Sequence, residues 1–225
     1  MKKNFAIIGM GRFGSSVAKA LRAYGHDVLA IDASEQRIQE MSAVVTHSVQ
    51  ADTTDEEALK ALGIRNFDVV VVAIGEDIQA SILTTLILKE LGVPVIIAKA
   101  KNELHGKVLG RIGADRVIYP ERDMGLRVAH NLISPNILEY IEISDDYSIA
   151  EIKATPKLVG KSLRQLDIRA KFQCNVMAIK HGDQEHAKER MNITPSPDHE
   201  ILESDVLVIV GRNEDLWKFE KAYAE

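Results

Sequence analysis

A glycine-rich turn that directly follows an apolar strand constrains this chain more than any other feature. Phe5–Ile8 is apolar throughout, which is typical of a parallel strand covered on both faces. Residues 9–14 then form the sequence Gly-Met-Gly-Arg-Phe-Gly, where a helical pattern begins. The first glycine of such a turn permits a tight bend, the second lets the backbone approach a phosphate, and the third lets helix and strand pack closely.

A carboxylate stands where this motif needs one. Gly25 ends the predicted helix, and Asp27–Asp32 is typical of a second buried strand. Asp32 lies roughly 20 residues beyond the turn, the spacing at which an acid accepts hydrogen bonds from a ribose diol. Unpaired N–H groups and the dipole at the helix N-terminus favour the phosphates of the same ligand. The unit is predicted to be a Rossmann-type βαβ element that binds a nucleotide or dinucleotide.

Arg12 departs from the turn of a plain dehydrogenase. A guanidinium beside the phosphate cradle favours a ligand more anionic than NAD. The alternative is a solvent-facing arginine that pairs with an acid.

Apolar strands continue to alternate with helices through the first half. Strands are predicted at residues 68–75, 93–98 and 116–120, and helices at 54–62 and 79–91. This alternation indicates the α/β class with a doubly wound parallel sheet, which binds ligands at the carboxyl ends of its strands. The predicted site residues are Gly9, Gly11, Arg12, Phe13, Gly14, Asp32, Ala51, Asp52, Ala73, Ile74, Gly75, Lys99 and Glu121. Those beyond Asp32 are equally compatible with ordinary turn or strand-end positions.

A domain boundary is predicted near the middle of the chain. Apolar residues cover more than one face of the helix at 79–91, so the second half or another copy must pack on it, and self-association is favoured. A crossover helix at 124–133 ends at Ser134-Pro135. We expect a nucleotide-binding domain at 1–120, a crossover helix and linker at 121–137, and a second domain at 138–225.

The second half changes to the period of a half-buried sheet. Short strands are predicted at 138–143 and 148–152, longer ones at 174–180 and 205–211, with a helix capped by Ser162 and a final helix from Glu214. Together they form a small α+β domain. His181, His186 and His199 lie among acids, but their spacing matches no standard metal motif and a polar hairpin loop accounts for the composition.

Composition excludes several classes of protein. The longest apolar run, Val69–Ile74, is far shorter than the roughly 20 residues of a membrane-spanning helix. Cys174 is the single cysteine, so no disulfide framework or cysteine zinc site forms, which suits a reducing cytosol. The net charge of −5 and the lack of a basic patch argue against nucleic acid as a partner. A cytoplasmic location is therefore expected.

Several segments together closely resemble a known family, the regulator-of-potassium-conductance (RCK) subunits of bacterial Ktr and Trk potassium uptake systems. In the first half they are the turn at residues 9–14, Leu62–Asp68, Val72–Gly75 followed by Ile78–Ser81, Lys107–Leu109 with Ile112–Asp115, and Pro120–Met124. In the second half, Leu166–Phe172, Ala178–Lys180 and Asp205–Gly211 resemble the companion TrkA-C domain.

The resemblance implies a regulatory subunit that is not an enzyme. It implies homodimers in an octameric ring, held at the inner face of the membrane by a potassium-translocating subunit of the KtrB, KtrD or TrkH type. ATP would activate and ADP inactivate, with NAD(H) as an occasional ligand. Arg12 would meet the outer phosphate, and Glu121 matches a position associated with Mg²⁺ or another cation beside ATP.

The resemblance also implies a cyclic di-AMP site between two C-terminal domains, as in relatives of this type. The matching residues are Arg169, Asn175, Val176 and Pro195, although the loop at 181–192 is longer and more charged than usual.

Two other functions share the nucleotide fold. An NAD(P)-dependent oxidoreductase would use the same turn and Asp32, but the second half offers no evident proton donor for a nicotinamide. A redox-sensing repressor would need a helix-turn-helix or a basic surface, and neither is evident.

Overall fold

The computed structural model describes residues 2–133, 136–181 and 190–223. They belong to two compact units, with the boundary between Asp123 and Met124. Within the described residues, no helix is both long enough and apolar enough to span a bilayer.

The first unit is a six-stranded parallel sheet with helices. Its strands are β1 (Asn4–Ile8), β2 (Asp27–Asp32), β3 (His47–Gln50), β4 (Val69–Val72), β5 (Ile96–Lys99) and β6 (Arg116–Ile118). Its helices are α1 (Arg12–Ala23), α2 (Glu35–Ser42), α3 (Glu56–Ala61), α4 (Ile78–Glu90), α5 (Glu103–Ile112) and the start of α6 (Pro120–Ile133). The strand order is β3-β2-β1-β4-β5-β6. The predicted doubly wound Rossmann sheet is confirmed, with its order reversing at β1 and β4.

Both faces of this sheet are buried. Ala6 and Ile8 of β1 pack into one apolar cluster, whereas Ile7 packs into the cluster on the opposite face. The continuous apolar character of β1 follows from this, since alternate side chains point to opposite faces.

The edge strand β3 was not predicted. Its residues, His-Ser-Val-Gln, are polar except for Val49, and none is fully buried. A strand at the edge of a sheet needs little apolar surface, so its sequence carries no strand-like pattern. Helix α6 also begins earlier than predicted, at Pro120, where the fixed φ of proline suits the first helical position. Glu121 therefore lies in a first helical turn, not at the end of a strand.

Helix α4 buries hydroxyl groups together with apolar ones. Ser81, Thr84 and Thr85 are fully buried, and the Thr84 hydroxyl lies 3.0 Å from that of Thr53. Leu83 and Leu86 remain 39% and 37% exposed. The first unit thus leaves apolar surface of α4 uncovered, as the sequence indicated; the self-association inferred from it stays a prediction.

In its described residues the second unit contains most of α6, an antiparallel sheet and three further helices. Its strands are β7 (Ile137–Glu142), β8 (Tyr147–Lys153), β9 (Asn175–His181), β10 (Arg190–Asn192) and β11 (Asp205–Arg212), in the order β10-β9-β11-β8-β7. Its own helices are α7 (Leu163–Leu166), α8 (Ile168–Phe172) and α9 (Asn213–Tyr223). The predicted α+β domain is confirmed, and Ser162 caps α7 in a reciprocal capping box with Gln165.

The strands β9 and β10 pair antiparallel and form the two arms of the predicted hairpin. The segment between them, residues 182–189 with His186, and the predicted helix stop at Ser134-Pro135 lie outside the described residues.

Candidate functional site

The predicted nucleotide-site residues lie where the carboxyl ends of the six parallel strands come together. This border of the sheet is called the edge below. In spatial order from β3 to β6 the edge carries Ala51 and Asp52, then Asp32, then the glycine turn, then Ala73, Ile74 and Gly75, then Lys99, and finally Glu121. The turn lies between β1 and β4, where the strand order reverses. Ligands of open parallel sheets bind at this position.

The three glycines of the turn meet different surroundings. Gly9 has φ +94°, and a Cβ there would lie 3.1 Å from the carbonyl carbon of Ala73. A Cβ on Gly14 would lie 1.9 Å from the Gly9 oxygen, whereas one on Gly11 would meet nothing within 4 Å. Gly9 and Gly14 are therefore required by the fold. Gly11 faces open space, where a ligand can approach the backbone.

Helix α1 begins without a side-chain cap. Its N-cap is Gly11, which makes no side-chain hydrogen bond, and its first turn has no acidic residue. In contrast, α2 to α5 are capped by Ser34, Asp55, Asp77 and Asn102. The first N–H groups of α1 are therefore available to an anion, and the helix dipole favours one there.

Asp32 is buried against the turn. Its carboxylate accepts hydrogen bonds from Met10 N at 2.5 Å and Ser34 N at 2.8 Å. The guanidinium of Arg37 lies 3.4 Å from the same carboxylate and is half exposed. Asp32 thus holds the turn in place. Arg37 was not predicted; its signal is an arginine shortly after the strand-end acid, which in such folds lies near the ribose.

A second charged group lies on the other side of the turn. Lys99 is only 12% exposed, and its Nζ lies 2.5 Å from Glu121 Oε1 and 5.9 Å from the ring centroid of Phe13. A Cβ placed on Gly75 would lie 3.2 Å from the same amine. The hydrogen bond from Lys99 lowers the pKa of Glu121, and the charge of the exposed Arg12 lowers it further. The fold thereby brings these five residues together.

Ala51 and Asp52 lie farther out along the edge. Ala51 N donates to the backbone oxygen of Asp32 at 3.1 Å. The Asp52 carboxylate accepts from the Thr54 hydroxyl at 2.7 Å and from Thr54 N at 2.9 Å, and these bonds lower the pKa of Asp52. Asp52 therefore stabilises its own turn and makes none of its recorded hydrogen bonds to the glycine turn.

A cavity beside Glu121 was not predicted. It measures about 220 Å³ and is lined by Ala100, Lys101, Asn102, Glu103, Tyr119, Glu121 and Arg122. The Arg122 guanidinium lies 4.1 Å from the centroid of the Tyr119 ring. No sequence signal points to this cavity, since its walls come from two segments, residues 100–103 and 119–122, that meet only in the folded unit.

The second unit holds a smaller cavity of about 150 Å³, lined by Leu163, Asp167, Ile168, Arg169, Cys174, Asn175 and Val176. Three of the four residues predicted for the C-terminal ligand meet there, but Pro195 does not line it. Burial raises the pKa of the Cys174 thiol to about 11, so the thiol stays protonated at neutral pH.

Two of the three histidines noted in the sequence lie close together in the structure. His181 and His199 both contact the buried carboxylate of Asp205. Asp205 was not singled out in the sequence.

Comparison with known proteins matches both units. Residues 5–120 match the TrkA-N domain and residues 147–223 match the TrkA-C domain. The chain is 50% identical to Ktr system potassium uptake protein C of Bacillus subtilis (strain 168) over 221 residues, covering 98% of this chain and 97% of the relative. It is also 50% identical to Ktr system potassium uptake protein A of the same organism over 219 residues, covering 97% and 96%.

Among solved structures, the GsuK channel bound to NAD superposes with a TM-score of 0.66 at 19% identity, covering all of this chain and 40% of that one. This likeness establishes the fold. The sequence matches establish more: the chain belongs to the RCK family of TrkA-N and TrkA-C proteins, as a homologue of the Ktr system potassium uptake proteins.

Proposed function

We propose that this chain is the regulatory, gating subunit of a potassium uptake system and that it senses ATP and ADP, with NAD(H) as a further ligand. The chain is 50% identical to two Ktr proteins over nearly the whole of each sequence, which supports a role in a potassium uptake system. One observation carries the ligand class: α1 begins uncapped, above open space at Gly11. We divide it functionally into a nucleotide domain at 1–120, a crossover at 121–137 and a ligand-sensing domain at 138–225.

Electrostatics supports a phosphate-bearing ligand over a neutral one. The amides of α1 leave several hydrogen-bond donors unsatisfied, and the four helices that follow have side-chain caps. Arg12 and Lys99 add positive charge near the same place. A chain of phosphates satisfies the donors and both cations at once, since anions bind at helix N-termini. Asp32 would hold the ribose.

Glu121 suits a divalent cation bound with the phosphates. Mg²⁺ is commonly held by one or two carboxylates plus phosphate oxygens, so a single exposed carboxylate at the phosphate end of the edge fits this role. The Lys99 amine donates a hydrogen bond to Oε1 of Glu121, so a bound cation and the lysine would compete for the carboxylate.

The regulatory step is a shift between two shapes of an assembly. ATP and ADP differ by one phosphate, and a ligand shifts an equilibrium only by its differential affinity for the two states. We take the assembly to be an octameric ring of homodimers that docks on a membrane potassium-translocating subunit at the cytoplasmic face. The subunit itself performs no catalysis. NAD(P)-dependent hydride transfer is the rival function, because the turn and Asp32 serve NAD equally well.

Arg12→Ala is expected to lower the preference for ATP over ADP by on the order of 10-fold, because a charge-assisted hydrogen bond to the outer phosphate contributes roughly 1.5 kcal/mol. Calorimetric titration of both nucleotides measures the ratio. Lys19→Ala is the matched control, since Lys19 is an exposed cation on the same helix. An unchanged ratio in Arg12→Ala would remove Arg12 from the phosphate site.

We further propose that the cavity at Arg169, Asn175 and Val176 binds cyclic di-AMP between two copies of the chain. Its 150 Å³ is below the roughly 300 Å³ at which ligand pockets begin, which supports half a site in each subunit. Arg169 offers a cation to a ligand phosphate, and Pro195 would complete the site from outside the cavity.

Arg169→Ala should weaken cyclic di-AMP binding by on the order of 10-fold, with one ligand per two chains in the wild type, because a lost charged contact costs roughly 1.5 kcal/mol. Calorimetry gives both affinity and stoichiometry. Lys171→Ala, an exposed cation two residues away, should bind like the wild type. Equal losses in both variants would indicate a general charge effect and not a site.

A further inference from the structure

Two histidines converge on a buried carboxylate at one end of the second sheet. His181 on β9 lies directly opposite Asp205 on β11 in the strand register. His181 Nδ1 lies 2.7 Å from Asp205 Oδ1, and His199 Nε2 lies 3.3 Å from Asp205 Oδ2. The Asp205 side chain is fully buried, whereas the His181 and His199 side chains are 31% and 21% exposed. Solvent can therefore reach the imidazoles but not the acid.

The charge of this cluster requires compensation. A buried carboxylate is costly unless a positive charge faces it. In the described part of the chain, the hydrogen-bond partners of the Asp205 carboxylate are the two imidazoles and the Leu202 amide, which donates at 3.0 Å. An imidazolium or a metal ion bound to the imidazoles would each supply a positive charge beside the buried carboxylate. A divalent cation held by all three side chains would neutralise it.

We propose that His181, His199 and Asp205 form a site for a divalent transition metal of the Zn²⁺ class. One potential ligand atom from each residue lies within 4.8 Å of the others. Ligands of a tetrahedral zinc ion, each about 2.0–2.2 Å from the metal, lie about 3.3 Å apart, so small side-chain rotations suffice. Imidazole nitrogen favours zinc, nickel or copper, whereas Mg²⁺ and Ca²⁺ prefer oxygen alone.

The backbone holds the cluster in place before any ion arrives. His181 is paired on both sides, with Arg190 on β10 and Asp205 on β11. The amide of His199 donates to the Ser196 oxygen at 2.9 Å, and its own oxygen accepts from Leu163 N at 3.2 Å. The Leu202 amide orients Asp205, as outer partners commonly orient metal ligands. Three protein ligands leave a fourth position for water.

The test uses the untagged full-length chain, stripped with a chelator and kept free of nucleotide, so that its outcome is independent of the nucleotide proposal. Co²⁺ is titrated while its visible absorption is followed, and Zn²⁺ is titrated by calorimetry. His181→Gln and His199→Gln are the variants, because glutamine can still donate to Asp205 and preserve the fold. His47→Gln is the matched control, since His47 is exposed on β3.

We expect one ion per chain in the wild type and in His47→Gln, and affinity on the order of 100-fold weaker in each of the other two variants. Zn²⁺ should raise Tm in the wild type and in His47→Gln only, because binding to the folded state alone stabilises it. Absence of binding in the wild type would overturn the proposal. Wild-type affinity in either His181→Gln or His199→Gln would also overturn it.

Discussion

Gly14→Ala is expected to destabilise the first unit by about 2–3 kcal/mol and to abolish nucleotide binding, because the new methyl group would lie 1.9 Å from the Gly9 oxygen. The contact is with backbone, so only a displacement of the glycine turn can relieve it. Within a helix, alanine is ordinarily more stable than glycine by roughly 0.5–1 kcal/mol. A net loss of stability therefore isolates the clash. Chemical denaturation followed by circular dichroism measures it.

Gly11→Ala is the matched control for this prediction. A Cβ on Gly11 meets nothing within 4 Å, and its φ of −71° suits alanine. The variant should therefore keep its Tm within about 2 °C of the wild type. Its affinity for ATP and ADP should fall by on the order of 10-fold or more, because the methyl group occupies the approach of the phosphate. Wild-type affinity in Gly11→Ala would show that the phosphates do not bind at the turn. Wild-type stability in Gly14→Ala would show that the predicted steric clash does not occur.

Asp32→Ala is expected to lower stability by about 2–4 kcal/mol and to weaken ATP, ADP and NADH together. It removes the acceptor of two backbone N–H groups, those of Met10 and Ser34, and an unpaired buried donor costs roughly 1–3 kcal/mol. The ribose contact would be lost with it, so all three nucleotides should bind at least about 10-fold more weakly. Denaturation and calorimetric titration measure the two effects.

Two variants separate these effects. Asp32→Asn keeps one acceptor oxygen and should recover part of the stability. Asp52→Ala removes a carboxylate at the next strand end, where Thr54 supplies both recorded hydrogen bonds, so it should change stability by less than about 1 kcal/mol. Nucleotide affinity that survives in Asp32→Ala would place the ribose elsewhere along the edge. An equal loss of nucleotide affinity in Asp52→Ala would indicate that the site reaches as far as the end of β3.

Much of the first unit could be predicted because its signals are local. The apolar run of β1, the glycine turn and Asp32 lie within one short segment, and together they form a pattern of residue types and spacing that can be read there. The capping box at Ser162 is equally local. Such features involve neighbours in sequence, so residue type and spacing were enough to place them.

Other parts of the molecule depend on partners that are distant in sequence. The polar edge strand β3 is a strand only because β2 pairs with it. The buried hydroxyl of Thr84 is satisfied by Thr53, 31 residues away. Similar separations explain why the cavity beside Glu121 carried no pattern along the chain.

By itself the sequence determined a Rossmann unit with a glycine-rich turn, a second α+β unit and membership of the RCK family. Only the tertiary structure decided that Lys99 meets Glu121 beside the turn, and that His181 and His199 meet at Asp205. The physical reason is that periodicity encodes which element forms, whereas strand order and register decide which side chains share a site. Strand order depends on hydrogen bonds between segments far apart in the chain.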